Sequence, residues 1–67
     1  MQVENHRKMK VKDRIEEELR SIETMDIGQP KKLLAIKLLG AVDLAVEFQL
    51  ITYKEWERFI SRIFLIL

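Results

Sequence analysis

Residues 30–48 read PKKLLAIKLLGAVDLAVEF, and this stretch decides the fold because it is apolar around most of a helix. At about 100° per residue, the polar residues Lys32, Asp43 and Glu47 share one narrow strip with Gly40. Leu, Ala, Ile, Val and Phe fill most of the remaining surface. Because so large an apolar girth must be covered on several sides, we expect this helix to be the central element of the domain.

The chain before this stretch has the pattern of one amphipathic helix. Apolar residues recur at spacings of three and four, namely Val11, Ile15, Leu19, Ile22 and Met25. Gly28 is suited to end this first helix in the left-handed conformation, and Pro30 is suited to the first turn of the next helix. The sequence therefore predicts a break between the first and second helices around residues 25–29.

A second break is predicted by capping chemistry. Thr52 and Glu55 have the spacing of a capping box, and Ile51 and Trp56 have the spacing of a hydrophobic staple. Both patterns start a third helix at the same residue. The turn is then about two to four residues long, so we expect the second and third helices to form an antiparallel hairpin.

The fold class predicted from these patterns is all-α, with three helices in one domain over residues 1–67 and a flexible tail over residues 1–8. A chain of 67 residues is near the size at which a single core only just offsets the entropy of folding. The chain contains no cysteine and a single histidine, His6, so neither a disulfide nor a zinc cluster can add stability. We therefore expect the domain to dimerise into a helical bundle.

The cellular compartment is predicted from the N-terminal residues and from the charges within the apolar stretch. The first residues are polar and contain no apolar signal-peptide core, which favours a cytoplasmic protein. Lys37, Asp43 and Glu47 interrupt the apolar stretch, and each would be costly in a bilayer, so no contact with a membrane is expected.

Residues for catalysis or for metal binding are not recognisable in the sequence. No nucleophile is placed beside a base, and no glycine-rich phosphate loop is present. Asp43 and Glu47 lie one turn apart and could form half of a carboxylate metal site completed by a second subunit, but no histidine accompanies them at the required spacing. We expect a solvated polar strip there, and a protein that is not an enzyme and has no cofactor.

The apolar surface points to protein interaction. Three short helices present more apolar surface than they can hide among themselves, and the chain ends on four apolar residues. The predicted function is that of a small interaction or regulatory module that presents an apolar helix groove to a second copy of itself or to another protein. The residues assigned to that interface are Leu38, Val42, Phe59, Ile63, Phe64, Leu65, Ile66 and Leu67.

The alternative function is nucleic-acid binding. The second and third helices have the outline of a helix-turn-helix unit, in which the third helix would meet DNA. The basic residues available to phosphates are Lys8, Lys10 and Lys12 in the first part of the chain, and Lys54, Arg58 and Arg62 in a row along the third helix. Against this reading, the net charge is only +1, and the same basic row could pair with acids of the first helix such as Glu16, Glu18 or Glu23.

Overall fold

The computed structural model describes the backbone of residues 3–67 and the side chains from residue 11 onward. Its three helices are α1 (Val3–Glu23), α2 (Gln29–Glu47) and α3 (Tyr53–Ile66), with no strand over this part of the chain. The all-α prediction is confirmed. Helix α1 begins at Val3, so residues 3–8, which the sequence assigned to a flexible tail, have a helical backbone; residues 1 and 2 lie outside the described part.

The core is formed by buried side chains from all three helices and from the second connection. Each helix supplies one large side chain with no exposed surface: Leu19 in α1, Val42 in α2 and Ile63 in α3. The ten buried apolar residues are Ile15, Leu19, Ile22, Ala35, Leu38, Val42, Ala45, Ile51, Phe59 and Ile63. The amphipathic stripe predicted for the first helix therefore faces the core along its middle turns.

Helix α2 packs against both other helices but is buried along one side only. Its buried residues are Ala35, Leu38, Val42 and Ala45, and all four are on the side that faces α1 and α3. The expectation that this helix is covered on several sides is not met within one chain. Two partners of modest size meet on the same side of α2, and neither reaches around it, so most of its opposite side is left exposed.

The first connection differs from its prediction in how α1 ends. Helix α1 stops at Glu23, whereas Gly28 directly precedes α2 and is not in the left-handed conformation. A lysine replaces the predicted glycine cap: Lys31 Nζ donates hydrogen bonds to the backbone carbonyls of Glu23 and Met25, each at 3.2 Å. The first bond satisfies the last carbonyl of α1, which the end of a helix leaves without a partner, and the second joins Lys31 to the connection that follows. Pro30 lies in the first turn of α2, as predicted.

Helix α2 ends in a Schellman motif. Leu50 N donates to Ala45 O at 2.8 Å, and Gln49 N donates to Val46 O at 3.1 Å. The residue at the left-handed position is Gln49, with φ of 61°, where glycine is most common. The connection between α2 and α3 spans residues 48–52, one residue more than the two to four predicted. The Schellman motif accounts for the difference, because it uses residues 48–50 to satisfy the carbonyls of Ala45 and Val46.

The capping box predicted at the start of α3 is confirmed. Glu55 N donates to Thr52 Oγ1 at 3.1 Å, and Thr52 N donates to Glu55 Oε1 at 2.7 Å. Ile51, just before the cap, is buried, and Trp56 packs against the same core. The capping box and the two apolar side chains, all within six residues, therefore determine where α3 begins and the direction in which the chain enters it.

Candidate interface

The outer side of α2, opposite its buried side, carries a row of exposed apolar side chains. We define the outer α2 face as Leu33, Ile36, Gly40, Leu44 and Phe48, which follow one another along successive turns. The exposed fractions of its four large side chains are 56%, 52%, 54% and 69%, in chain order. Exposed apolar rows of this kind mark partner sites on small soluble domains. No helix among residues 3–67 combines the length and the apolar character needed to cross a membrane.

Gly40 lies at the middle of the outer α2 face. A Cβ atom built on it would meet nothing within 4 Å beyond the adjoining backbone of α2 itself, so the fold of the single chain does not require a glycine there. Glycine inside a helix costs about 1 kcal/mol relative to alanine. The glycine therefore lowers helix stability and leaves a notch through which another backbone can come close.

Polar residues border the outer α2 face along the edge nearer to α3. Asp43 Oδ1 accepts a hydrogen bond from Trp56 Nε1 at 2.7 Å, which joins α2 to the first turn of α3. The ring of Tyr53 stacks on Trp56, with the centroids 5.1 Å apart. We expected the whole polar strip of α2 to be solvated, but Asp43 bonds to Trp56. Lys32 and Glu47 are exposed at the two ends of the helix.

Half of the residues predicted for the interface lie inside the chain instead. Leu38, Val42, Phe59 and Ile63 are each at most 3% exposed and belong to the core described above. A side chain that its own chain covers cannot also contact a second subunit, so their assignment to an interface is corrected to one in the core. The sequence patterns identified them as apolar helix positions but could not say which side of each helix the chain itself covers.

The other predicted interface residues are at the end of α3. Phe64, Leu65 and Leu67 are exposed, whereas Ile66 is half-buried and packs against the core. Leu65 lines a depression together with Ile27, another strongly exposed apolar residue, beside the N-terminus of α2. The last turn of α3 therefore forms a second, smaller apolar surface that is separate in sequence from the outer α2 face.

Arg62 lies at the centre of an ion-pair cluster that joins α3 to α1. Its Nε and Nη2 atoms donate to the two carboxylate oxygens of Glu23, at 3.0 and 2.7 Å. Its Nη1 atom donates to both carboxylate oxygens of Glu16, at 2.9 and 2.8 Å. The same Glu16 accepts a weaker contact from Arg20 at 3.4 Å. The guanidinium is therefore occupied by partners of its own chain and is not presented to a phosphate.

The other described basic residues of the nucleic-acid alternative are Lys12, Lys54 and Arg58. Lys12 makes an ion pair of 3.1 Å with Glu55, the glutamate of the capping box. Lys54 and Arg58 are exposed on α3 and pair with no carboxylate among the described side chains. The side chains of Lys8 and Lys10 lie outside the described residues, as does that of His6.

These contacts shift the protonation equilibria of three groups. The hydrogen bonds from Arg62 hold the pKa of Glu23 below its ordinary value of 4.5. The backbone hydrogen bond from Thr52, with a smaller contribution from Lys12, lowers the pKa of Glu55 in the same direction. The carboxylate of Glu23, and after it that of Glu16, raises the pKa of Arg62 further above its already high value. All three groups are charged at neutral pH, so the contacts are ionic.

The interface residues predicted on α2 were Leu38 and Val42, and no residue of the outer α2 face was among them, although a narrow polar strip was predicted on this helix. The strip does mark the correct side of the helix, but the exposed surface is much wider than the strip. The signal in the sequence was Gly40, a helix-weakening residue with large apolar neighbours on either side.

Comparison with known proteins gives no relative from which a role could be transferred. No protein family, no curated protein and no solved structure matches this chain.

Proposed function

We propose that this protein is a small, non-enzymatic helical interaction module that acts by associating with a second copy of itself. The observation that carries the proposal is the outer α2 face, where four large apolar side chains are each more than half exposed around a glycine that the single chain does not need. Exposing these side chains to water is unfavourable, and a second copy offers the same apolar row as its cover.

The size of the face is adequate for a weak or moderate dimer. Large apolar side chains have about 200 Å² of surface, so four of them at half exposure give about 400 Å² per copy. Two copies then bury about 800 Å² of apolar surface before any bordering polar residue is counted. Specific interfaces start at about 1,000 Å² in total, so the polar residues that border the face would have to contribute about 200 Å² more.

The subunit that we propose is an antiparallel hairpin of α2 and α3, with α1 packed across it. Two contacts support this arrangement. Trp56, in the first turn of α3, bonds to Asp43 near the end of α2. Leu65, in the last turn of α3, lines the same depression as Lys31 in the first turn of α2. The hairpin thus leaves the outer α2 face on the side away from α1.

Nucleic-acid binding is the weaker candidate because two of its basic residues are already bound to carboxylates of the same chain. Arg62 is held by Glu16 and Glu23, and Lys12 is held by Glu55. Among the described members of the set, Lys54 and Arg58 are the ones that are exposed without a carboxylate partner. Two phosphate contacts give little affinity at physiological salt, since each contributes only a small electrostatic attraction.

Sedimentation tests self-association directly. The wild-type chain is expected to change from monomer to dimer with rising concentration, in the micromolar to millimolar range. Leu44→Asp places a charge on the outer α2 face and should keep the chain monomeric, with unchanged helical circular dichroism because Leu44 is outside the core. Leu65→Asp makes the same change on an exposed leucine at the end of α3 and should leave the dimer intact. A wild-type chain that stays monomeric at every concentration would refute the proposal.

A further inference from the structure

We infer that the two copies pair through their outer α2 faces in antiparallel orientation, about a two-fold axis that passes beside Gly40. This inference rests on the proposed self-association and adds its geometry. In such a pair each α2 helix crosses its own copy, and the residues before Gly40 in one copy lie beside those after Gly40 in the other. Three features of α2 support this geometry.

The first feature is the placement of the apolar residues about Gly40. Ile36 lies four residues before it and Leu44 four residues after it, while Leu33 and Phe48 lie seven before and eight after. An antiparallel pair centred on Gly40 therefore sets large apolar side chains against one another, with the exposed Lys37, three residues before Gly40, at the edge nearer to α1. An axis displaced by one turn would set part of this row against polar residues at the ends of the helix.

The second feature is the charge at the border of the face. Lys32 and Glu47 lie on the same edge of α2, eight residues before Gly40 and seven after it. A two-fold axis keeps each edge on its own side of the contact, so Lys32 of one copy comes beside Glu47 of the other, twice in the dimer. A parallel pair would instead place Lys32 and its own copy at the same height on opposite edges of the contact, with no glutamate beside either of them. The charges are therefore complementary only in the antiparallel orientation.

The third feature is the notch at Gly40 itself. A helix that crosses another at a glycine can approach more closely than the usual 8–10 Å between axes, about as near as the backbones allow. The position where the two backbones are nearest is the one that lies on the two-fold axis. Gly40 lies within one residue of the midpoint of each apolar and charged pair described above. Apart from the adjoining backbone of α2 itself, no atom of the chain lies within 4 Å of the place where its Cβ would be, so that space is open to the second copy.

Disulfide crosslinking measures this geometry, because the natural chain has no cysteine. A residue on the axis meets its own copy, so Gly40→Cys should form a covalent dimer under mild oxidation. In the antiparallel pair, cysteines introduced by Phe48→Cys are about 24 Å apart along the helices, at ~1.5 Å per residue. That separation exceeds the ~7 Å that a disulfide can span between Cα atoms. Crosslinking at least tenfold faster at position 40 supports the inference, and equal rates at both positions overturn it.

Charge exchange provides a second measurement that adds no side chain at the glycine. Lys32→Glu alone and Glu47→Lys alone each set two like charges together, so each should raise the dimer dissociation constant about tenfold. An equimolar mixture of the two variants has both opposite-charge pairs again and should dimerise as tightly as wild type. Lys54→Glu, the same change on an exposed lysine of α3, is the control and should have no effect.

The outcomes separate this inference from the proposed function. A mixture that dimerises no more tightly than either variant alone overturns the antiparallel geometry but not the self-association, which sedimentation of the wild type measures by itself. A wild-type chain that is monomeric by sedimentation overturns the self-association on which both rest.

Discussion

Replacing Arg62 by methionine should remove the ion pairs of α3 with Glu16 and Glu23 of α1 and leave the other ion pair between these helices, Lys12 with Glu55, in place. The guanidinium donates four hydrogen bonds to two carboxylates, and the side chains of Arg62, Glu16 and Glu23 are 30%, 35% and 34% exposed. Methionine keeps much of the apolar stem, so the substitution tests the charge and its hydrogen bonds rather than the packing.

The expected loss follows from partial burial. Fully exposed ion pairs contribute up to about 1 kcal/mol, and hydrogen bonds to charged groups about 1.5–3 kcal/mol when they are shielded from water. For side chains about one-third exposed, we take about 1 kcal/mol for each carboxylate and expect the free energy of unfolding to fall by about 2 kcal/mol. A domain of this size has about 3–10 kcal/mol in total, so the midpoint of thermal unfolding should fall by about 8–16 °C.

Thermal and urea unfolding followed by circular dichroism would measure this loss, at a concentration where the chain is monomeric. Arg58→Met is the matched control, one turn earlier on an exposed part of α3, and should change the free energy by less than about 0.5 kcal/mol. Equal effects of the two substitutions would contradict the structural role of Arg62. A double-mutant cycle with Glu23→Gln should give a coupling energy of about 1 kcal/mol between the paired residues.

Three further predictions concern single contacts. Gln49→Gly should raise the free energy of unfolding by about 0.5–1 kcal/mol in a urea titration, because glycine adopts a φ of 61° without strain; a loss of stability would contradict this. The pKa values of Glu23 and Glu55 are lowered in the folded chain from their ordinary value of 4.5. The stability that these two carboxylates provide is therefore complete above pH 4.5 and is lost as the pH falls through their pKa values in the folded chain. Denaturation measured from pH 7 to pH 2 should show this decline, whereas a flat profile would rule it out. Trp56→Phe should lower stability by about 1–2 kcal/mol through the lost hydrogen bond to Asp43 and some lost packing, and Asp43→Asn, which keeps an acceptor oxygen, should cost less.

The sequence was informative where the chemistry is local. The capping box of Thr52 and Glu55 needs only a spacing of three residues, and the structure has both of its hydrogen bonds. The predicted break before Pro30 also corresponds to the gap between α1 and α2. Helical periodicity and these breaks were sufficient to predict an all-α chain of three helices.

The sequence was uninformative where a contact depends on distant residues. The pairing of Arg62 with Glu16 and Glu23 joins positions 46 and 39 residues apart, and it was foreseen only as an alternative to phosphate binding. Lys31, which binds the carbonyls at the end of α1, has no local signature at all. The burial of Leu38 and the exposure of Leu44 on the same helix depend on where α1 and α3 pack, which periodicity alone does not determine.

The hydrogen bond from Trp56 to Asp43 places an intrinsic fluorophore at the contact between α2 and α3. Trp56 is the only tryptophan in the chain, and it is half-buried on α3 with its N–H directed at a carboxylate on the edge of the outer α2 face. Its emission therefore comes from one site and responds both to the separation of α2 from α3 and to a change in solvent at that edge. Unfolding, and the pairing that we propose, can thus be followed in the unlabelled protein by one fluorescence signal.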